Sequence, residues 1–262
     1  MTAQPPTDTD AILDELVERL RYCQRLLFIT GAGLSADSGL PTYRGIGGLY
    51  NDTHTEDDLP IELALSGEML FRQPDITWKY IAQIEAACRG ADCNPAHHVI
   101  AALQDDFEVW VLTQNVDGLH RRAGSRNLIE IHGDIHDLHC TRCRHQRRVP
   151  HYGVLSIPPH CPQCGSLMRP KVVLFGEYLP EGPVGELYAQ LGLGFDMVFS
   201  IGTTSVFPYI AAPVLEATQI GAPTVEINPG VTQVSDTVQY RLRAGAARSL
   251  EALQARWRGR LQ

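Results

Sequence analysis

"TGAGLSADSGLPTYRGIGGLY", residues 30–50, follows the apolar run "RLLFIT" (25–30) and decides how the chain is read. A buried strand that runs straight into small, polar, helix-hostile residues makes a tight turn whose backbone can come close to a phosphate. Gly31, Gly33 and Ala36 satisfy G-x-G-x-x-G/A at that turn, the spacing that sets a pyrophosphate against a helix N-terminus. An ordinary dinucleotide fold continues into a clean helix, a second strand and an acid about 20 residues on. Here "SGLPTYRGIGG" intervenes, and Asp52, near the right distance, stands in the wrong context. With Gly39, Pro41, Gly45, Gly47 and Gly48 the segment cannot remain a long helix. It leaves the sheet and folds over whatever the first turn holds, and Arg44 can then reach a phosphate. Loops of this length inside a compact domain are usually functional.

Outward from the turn, β-rich apolar runs recur at "LLFIT" (26–30), "FEVWVLT" (107–113), "NLIEI" (127–131), "KVVLF" (171–175), "DMVFSIG" (196–202) and "APTVEIN" (222–228). Most lack polar alternation, the pattern of strands covered on both faces. Helical stretches such as "PAHHVIAALQDD" and "AAPVLEATQIG", the latter ended by Gly221, lie between several of them. The fold class that follows is α/β with an open, mostly parallel sheet. "DAILDELVERLRYC" puts Leu13, Leu16, Val17 and Leu20 on one helical face behind an Asp10 cap, and "AARSLEALQARW" does the same with Leu250, Leu253 and Trp257. Residues of about 45–90 are helical in pattern, and 139–169 hold four cysteines among Pro, His and Arg; both read as inserts in one sheet domain.

Lys and Arg number 22 against 30 Asp and Glu in 262 residues, and the net charge of −8 argues against broad binding to nucleic acid or an anionic membrane. The opening "MTAQPPTDTD" has neither the basic nor the apolar region of a secretory signal; it reads as a disordered lead-in, and the chain as cytoplasmic. Residues 197–215 run without a charge for the length of a bilayer span, but Gly202, Pro208, Pro213 and the polar "TTS" divide them into a buried strand, a loop and a helix start.

Four of the seven cysteines fall as Cys140-x2-Cys143 and Cys161-x2-Cys164, which is zinc spacing rather than a disulfide framework. Four thiolates close a tetrahedral shell and leave no position for a catalytic water, so the metal is structural. His139, His145 and His160 are near enough in sequence to be rival ligands. Cys23, Cys88 and Cys93 sit in apolar or helical contexts and read as inert thiols. Arg142, Arg144, Arg147 and Arg148 cluster on the same module and read as a solvated face, with nucleic-acid binding the alternative.

"VWVLT" ends in "QNVDGLH" (114–120) and "LIEI" in "HGD" (132–134), so amide, carboxylate and imidazole groups emerge at C-terminal strand ends, the rim where open α/β sheets bind ligands. His132 there suits proton transfer near neutral pH. Taken in order, "TGAGLSADSGLPTYRG", "TQNVDGLH", "IHGD", "CTRC…CPQC", "VVLFGE", "SIGTTS" and "VEIN" resemble the sirtuin family from about residue 12 to 255. The resemblance implies a Rossmann-like NAD-binding domain over 11–138 and 170–262, a helical insert at about 45–90, a zinc-binding module over 139–169, and an NAD-dependent protein lysine deacylase that releases nicotinamide and O-acyl-ADP-ribose.

By the same resemblance, Gly31, Ala32, Gly33, Ser35 and Arg44 line the pyrophosphate and cofactor loop, and Tyr43 stands where the family usually has Phe. Gln114 binds ribose, Asn115 and Asp117 hold the ribose and carboxamide region, and His132 is the general base. Gly202, Thr203 and Ser205 approach phosphate or ribose, and Asn228 the adenosine ribose. Val173, Phe175, Gly176 and Glu177 border the acyl-lysine tunnel and offer backbone to an acyl-lysine protein substrate as an added strand. Relatives that remove acidic acyl groups use a Tyr-x-x-Arg pair; the two registers available here give Lys79 with Ala82 or Tyr80 with Gln83, and neither supplies the arginine. Acetyl or another uncharged acyl group is therefore expected. "GTTSVFPYI" departs from the family's Val-x-Pro register. The competing readings are an NAD-dependent ADP-ribosyltransferase, a non-catalytic NAD or nucleic-acid binding module with a zinc ribbon, and, last, an oxidoreductase.

Overall fold

In the computed structural model, which describes residues 8–42 and 55–261, α1 (Thr9–Leu20) leads into β1 (Arg25–Thr30) and the short α2 (Ala32–Ser35). Three helices follow, α3 (Ile61–Ala64), α4 (Gly67–Arg72) and α5 (Pro74–Cys88), and then α6 (Pro95–Ala102), β2 (Glu108–Thr113), α7 (Leu119–Arg122) and β3 (Asn127–Glu130). β4 (Gly133–Cys140), β5 (Gln146–Arg148) and β6 (Met168–Val172) come next. The chain closes with α8 (Glu181–Leu193), β7 (Met197–Ile201), α9 (Pro208–Gln219), β8 (Thr224–Ile227), β9 (Tyr240–Leu242) and α10 (Ala246–Leu261).

Leu26 to Ile29 of β1 are apolar without a break because the strand lies in the middle of a six-stranded parallel sheet of order β3-β2-β1-β7-β8-β9 with helices on both faces. Its residues alternate between two cores. Leu26 and Phe28 face α1, α6 and α10, where Leu16, Ile100, Leu250 and Trp257 are buried. Leu27 and Ile29 face α8 and α9 through Leu187, Ile210 and Val214. Phe28 stacks on Phe199 of β7 at 4.6 Å, and each such fully buried side chain contributes roughly 1.5–3 kcal/mol. The order of strands reverses between β1 and β7, which opens a crevice at their C-terminal ends.

The parallel, Rossmann-like sheet stands as expected, with two changes. "KVVLF" is not one of its members: Lys171 and Val172 end β6, which pairs antiparallel with β4 in a separate sheet of order β5-β4-β6. The apolar pattern there answers to a different core, in which Ile135, Leu138, Cys140, Met168 and Leu174 pack on Trp78, Tyr80 and Ile81 of α5. The helical insert and the cysteine-bearing segment therefore cover each other, and the Trp78 indole N–H donates to the Met168 carbonyl at 3.1 Å. The second change is β9, which the sequence reading does not contain. At the N-terminus Asp8, rather than Asp10, caps α1 by accepting the Ala11 N–H at 3.3 Å. Among the described residues no helix is long and apolar enough to cross a membrane.

Candidate functional site

The glycine turn closes against β7. Gly31 N–H donates to the Ile201 carbonyl and Gly33 N–H to the Gly202 carbonyl at 2.8 Å, so that a Cβ on Gly33 would come within 2.7 Å of the Gly202 Cα. Gly202 itself has φ +59°, and a Cβ there would meet the Leu34 nitrogen at 2.3 Å. Two backbones are thus in direct contact at the switch point, a proximity that only glycine permits. From α6, Asn94 ties the turn down by donating to the Leu34 carbonyl at 2.8 Å and the Ser38 hydroxyl at 3.0 Å.

The end of β2 delivers the polar groups. Ser35 Oγ donates to Asp117 Oδ2 at 2.8 Å, and Asn115 Nδ2 donates to the Gly31 carbonyl and to Ser35 Oγ, both at 3.1 Å. Burial raises the Asp117 pKa above the ordinary carboxylate value, against the opposing pull of the Leu119 N–H and the Ser35 hydroxyl. A cavity beside this network is lined by Ala32, Ser35, Leu40, Pro41, Asn115 and Asp117 together with Ile84, Ala87 and Cys88 of α5. Burial also pushes the Cys88 thiol up to about 12 and the Cys23 thiol to about 11, so neither is a nucleophile at neutral pH.

Gln114 reaches the other way, donating to Thr203 Oγ1 at 2.8 Å, and Asn228 Nδ2 donates to the Thr203 carbonyl at 3.0 Å. Ser205, at φ +55°, is buried with its N–H on Thr203 Oγ1 and its hydroxyl 3.3 Å from that of Ser200. His132 follows β3. Its Nδ1 lies 3.1 Å from the Gln114 carbonyl and its Nε2 lies 2.7 Å from the Tyr209 hydroxyl. Burial lowers its pKa below the ordinary imidazole value, while the Gln114 carbonyl acts in the opposite sense. His97 and His120, stacked edge to face at 4.9 Å, are a contrast: burial takes them to about 4 and about 3, which makes them neutral packing groups.

Beyond His132 the chain turns toward the expected substrate strand. Val173 N–H donates to the His132 carbonyl, and Phe175 N–H to that of Leu65. The Glu177 carboxylate is committed to Arg169 and to the Leu174 N–H at 2.9 Å, so it braces the loop that bends at Gly176. On α5, Tyr80 is buried with its hydroxyl on Asp57, and Lys79 pairs with Glu56 and Asp57. Neither register puts a guanidinium there. Tyr43 and Arg44 lie outside the described residues.

Sequence reasoning brought Gly31, Gly33, Ser35, Asn115, Asp117, Gln114, His132, Gly202, Thr203, Ser205 and Asn228 to one rim, and the structure gathers them. It missed Asn94, Phe207 and Tyr209. Asn94 carries a readable signal, a helix cap before Pro95, but the cap's second duty at Leu34 and Ser38 needs the fold.

The four cysteine sulfurs form a cluster that could hold a metal ion. Cys140, Cys143, Cys161 and Cys164 place their Sγ atoms within 4.8 Å of one another, and the Arg142 and Cys143 N–H groups donate to Cys140 Sγ at 3.3 Å. None of the four is in a disulfide, and the donor set suits tetrahedral zinc. His139, His145 and His160 are not part of the cluster. Of the nearby arginines, Arg148 is bound to Asp134 at 2.7 Å and Asp137 at 2.9 Å.

The Sir2 family profile matches residues 31–208. The chain is 50% identical over 239 residues to the NAD-dependent protein deacylase 2 of Pseudomonas aeruginosa, covering 90% of this chain and 93% of that one. It is 53% identical over 238 residues to the protein of the same description from Pseudomonas syringae pv. tomato, covering 89% and 96%. Among solved structures, a Sir2 homologue in complex with NAD superposes with a TM-score of 0.86 at 32% identity, covering 100% of this chain and 98% of that one. A Sir2 protein bound to a deacetylated p53 peptide and 3′-O-acetyl ADP-ribose gives 0.83 at 26% identity, covering 93% and 98%. With its glycine turn, rim residues and four-cysteine centre all in one molecule, the chain belongs to the Sir2 family.

Proposed function

We propose that the chain is an NAD-dependent protein lysine deacylase in which His132 is the general base. The observation that carries this reading is the convergence of the Gly31 turn, the Ser35, Asn115 and Asp117 network, and His132 at the C-terminal rim of β1, β2, β3 and β7. When bound, NAD supplies an electrophilic sugar carbon, the partner that a weakly nucleophilic amide oxygen requires. The protein's own residues do the rest. The turn at Gly31, Ala32 and Gly33 takes the pyrophosphate, its glycines allowing the close approach while the Gly31 and Gly33 N–H groups stay on β7 and Gly202. Asn115 and Asp117 hold the carboxamide end, Gln114, Thr203, Ser205 and Asn228 hold ribose hydroxyls, and Gly202 leaves room for the backbone to approach.

A base must be neutral to accept a proton, and burial of His132 keeps it so at physiological pH. Val173 and Gly176 border the acyl-lysine tunnel and offer main chain to the substrate peptide, whereas the Phe175 main chain is already paired with Leu65 and Gly67, and Glu177 braces the segment. The absence of a guanidinium at Ala82 or Gln83 favours acetyl or another uncharged acyl group. The excess of acidic residues weighs against nucleic acid as a partner, and a cytoplasmic location fits the composition of the chain. Zinc fits the four thiolates as a structural ion, and with all four ligands from protein it takes no part in the transfer.

Incubation with acetyl-, succinyl- and longer-chain acyl-lysine peptides, with and without NAD, tests the reading by mass spectrometry. Deacylated peptide, nicotinamide and O-acyl-ADP-ribose are expected in equal amounts, with the acetyl peptide turned over faster than the succinyl one. ADP-ribose attached to protein, or reduction of NAD, overturns it. His132→Ala is expected to lower kcat by about 10²–10⁴ while NAD still binds.

A further inference from the structure

The "GTTSVFPYI" stretch, which departs from the sirtuin register, lies directly against the candidate base. Phe207 and Tyr209 stack at 5.5 Å and 14°, and the His132 ring meets both edge on, at 6.0 and 5.9 Å. The Gln114 carbonyl, 3.1 Å from Nδ1, can only accept, so the neutral ring carries its hydrogen on Nδ1 and its lone pair on Nε2. That lone pair, the one a ribose hydroxyl would need, already accepts from the Tyr209 O–H at 2.7 Å. The groups facing the ring are the Gln114 carbonyl from the end of β2 and the Phe207 and Tyr209 rings from the start of α9. Tyr209 is the titratable one among the described residues, and burial pushes its phenol up to about 12, so it stays a neutral donor.

We propose that Tyr209 is a positioning residue for His132 in the free enzyme: before NAD binds, its hydroxyl caps the Nε2 lone pair of His132, and NAD binding passes that lone pair to a ribose hydroxyl. One O–H donor replaces another, so no proton moves during the exchange. During transfer the ribose hydrogen goes to Nε2, and the Gln114 carbonyl holds the resulting imidazolium at Nδ1. The proposal rests on His132 as the base.

Tyr209→Phe tests it, because the substitution keeps the stacked ring and removes one oxygen. In the protein without NAD, NMR titration of His132 is expected to show its pKa raised by about half a unit to one unit, because the lost donor had favoured the neutral ring. The acid limb of kcat/KM, which reports the free enzyme, moves up by the same amount, whereas the acid limb of kcat, which reports the bound complex, stays in place. An unchanged titration of His132, or equal movement of both limbs, overturns the proposal. Deacylation by His132→Ala at the wild-type rate overturns the base reading, and with it the link between the Tyr209 cap and catalysis. The spectroscopic titration separates that failure from a failure of the cap itself.

Discussion

The crest of the parallel sheet and the zinc module lie side by side but are held together by different means. The crest rests on strands buried between helices, with Leu26, Leu27, Phe28 and Ile29 each fully covered, and its glycine turn is fixed by backbone contact with β7. The module has three strands, one of them the short, exposed Gln146–Arg148, and closes around four sulfurs. One region gets its order from strands packed between helices on both faces, the other from a smaller apolar core against α5 together with four thiols placed to hold a metal. His132 and Gly133 lie at the junction, where the parallel sheet ends and the antiparallel one begins. Stability of the module and competence of the crevice are therefore coupled through a few residues.

Metal removal is the most severe way to break that comparison. Structural zinc contributes roughly 10–16 kcal/mol of apparent binding free energy that is also folding free energy. Cys140→Ser, or chelation, should abolish hydrogen-exchange protection over Gly133–Cys140 and Met168–Val172 and end deacylation, while Arg25–Thr30 and Met197–Ile201 stay protected. Simultaneous loss of both regions would show that they are one cooperative unit. Next in size is Gly33→Ala, which puts a Cβ within 2.7 Å of the Gly202 Cα. It should cost about 2 kcal/mol and at least tenfold in NAD affinity, read by calorimetry, with zinc content unchanged.

The smallest effect sharpens the comparison from the module's side. Burial alone would raise the Asp134 carboxyl, but hydrogen bonds from His136 and the Arg148 ion pair hold it down at about 2, against the ordinary 3.8. Its contribution is therefore present above about pH 4 and lost as pH falls toward 2. Arg148→Ala should cost about 1 kcal/mol at neutral pH, since the arginine is half exposed, and the difference from wild type should shrink below pH 4 in urea unfolding.

The parts legible in sequence were those written locally. A glycine turn after an apolar run, two C-x2-C pairs and strand ends carrying Asn, Asp and His each declare themselves within a few residues. "KVVLF" misled because an apolar run fits a parallel strand and an antiparallel one equally well, and its core partner, Trp78, lies about 90 residues away. β9 was missed because three residues, Tyr240, Arg241 and Leu242, make no period; what places Arg241 is its ion pair with Glu226 at 2.7 Å. Tyr209 was out of reach for the same reason. It is 77 residues from His132, and its neighbours read only as the start of a helix.

The strand order has a consequence for how the molecule is made. β1 is finished by residue 30, but it pairs through Leu26 with Val109 on one side and Met197 on the other. On the ribosome, vectorial synthesis leaves this buried, largely apolar strand without its second neighbour until more than two thirds of the polypeptide has emerged. The crevice cannot exist in any nascent chain shorter than that, however well its first glycine turn is encoded.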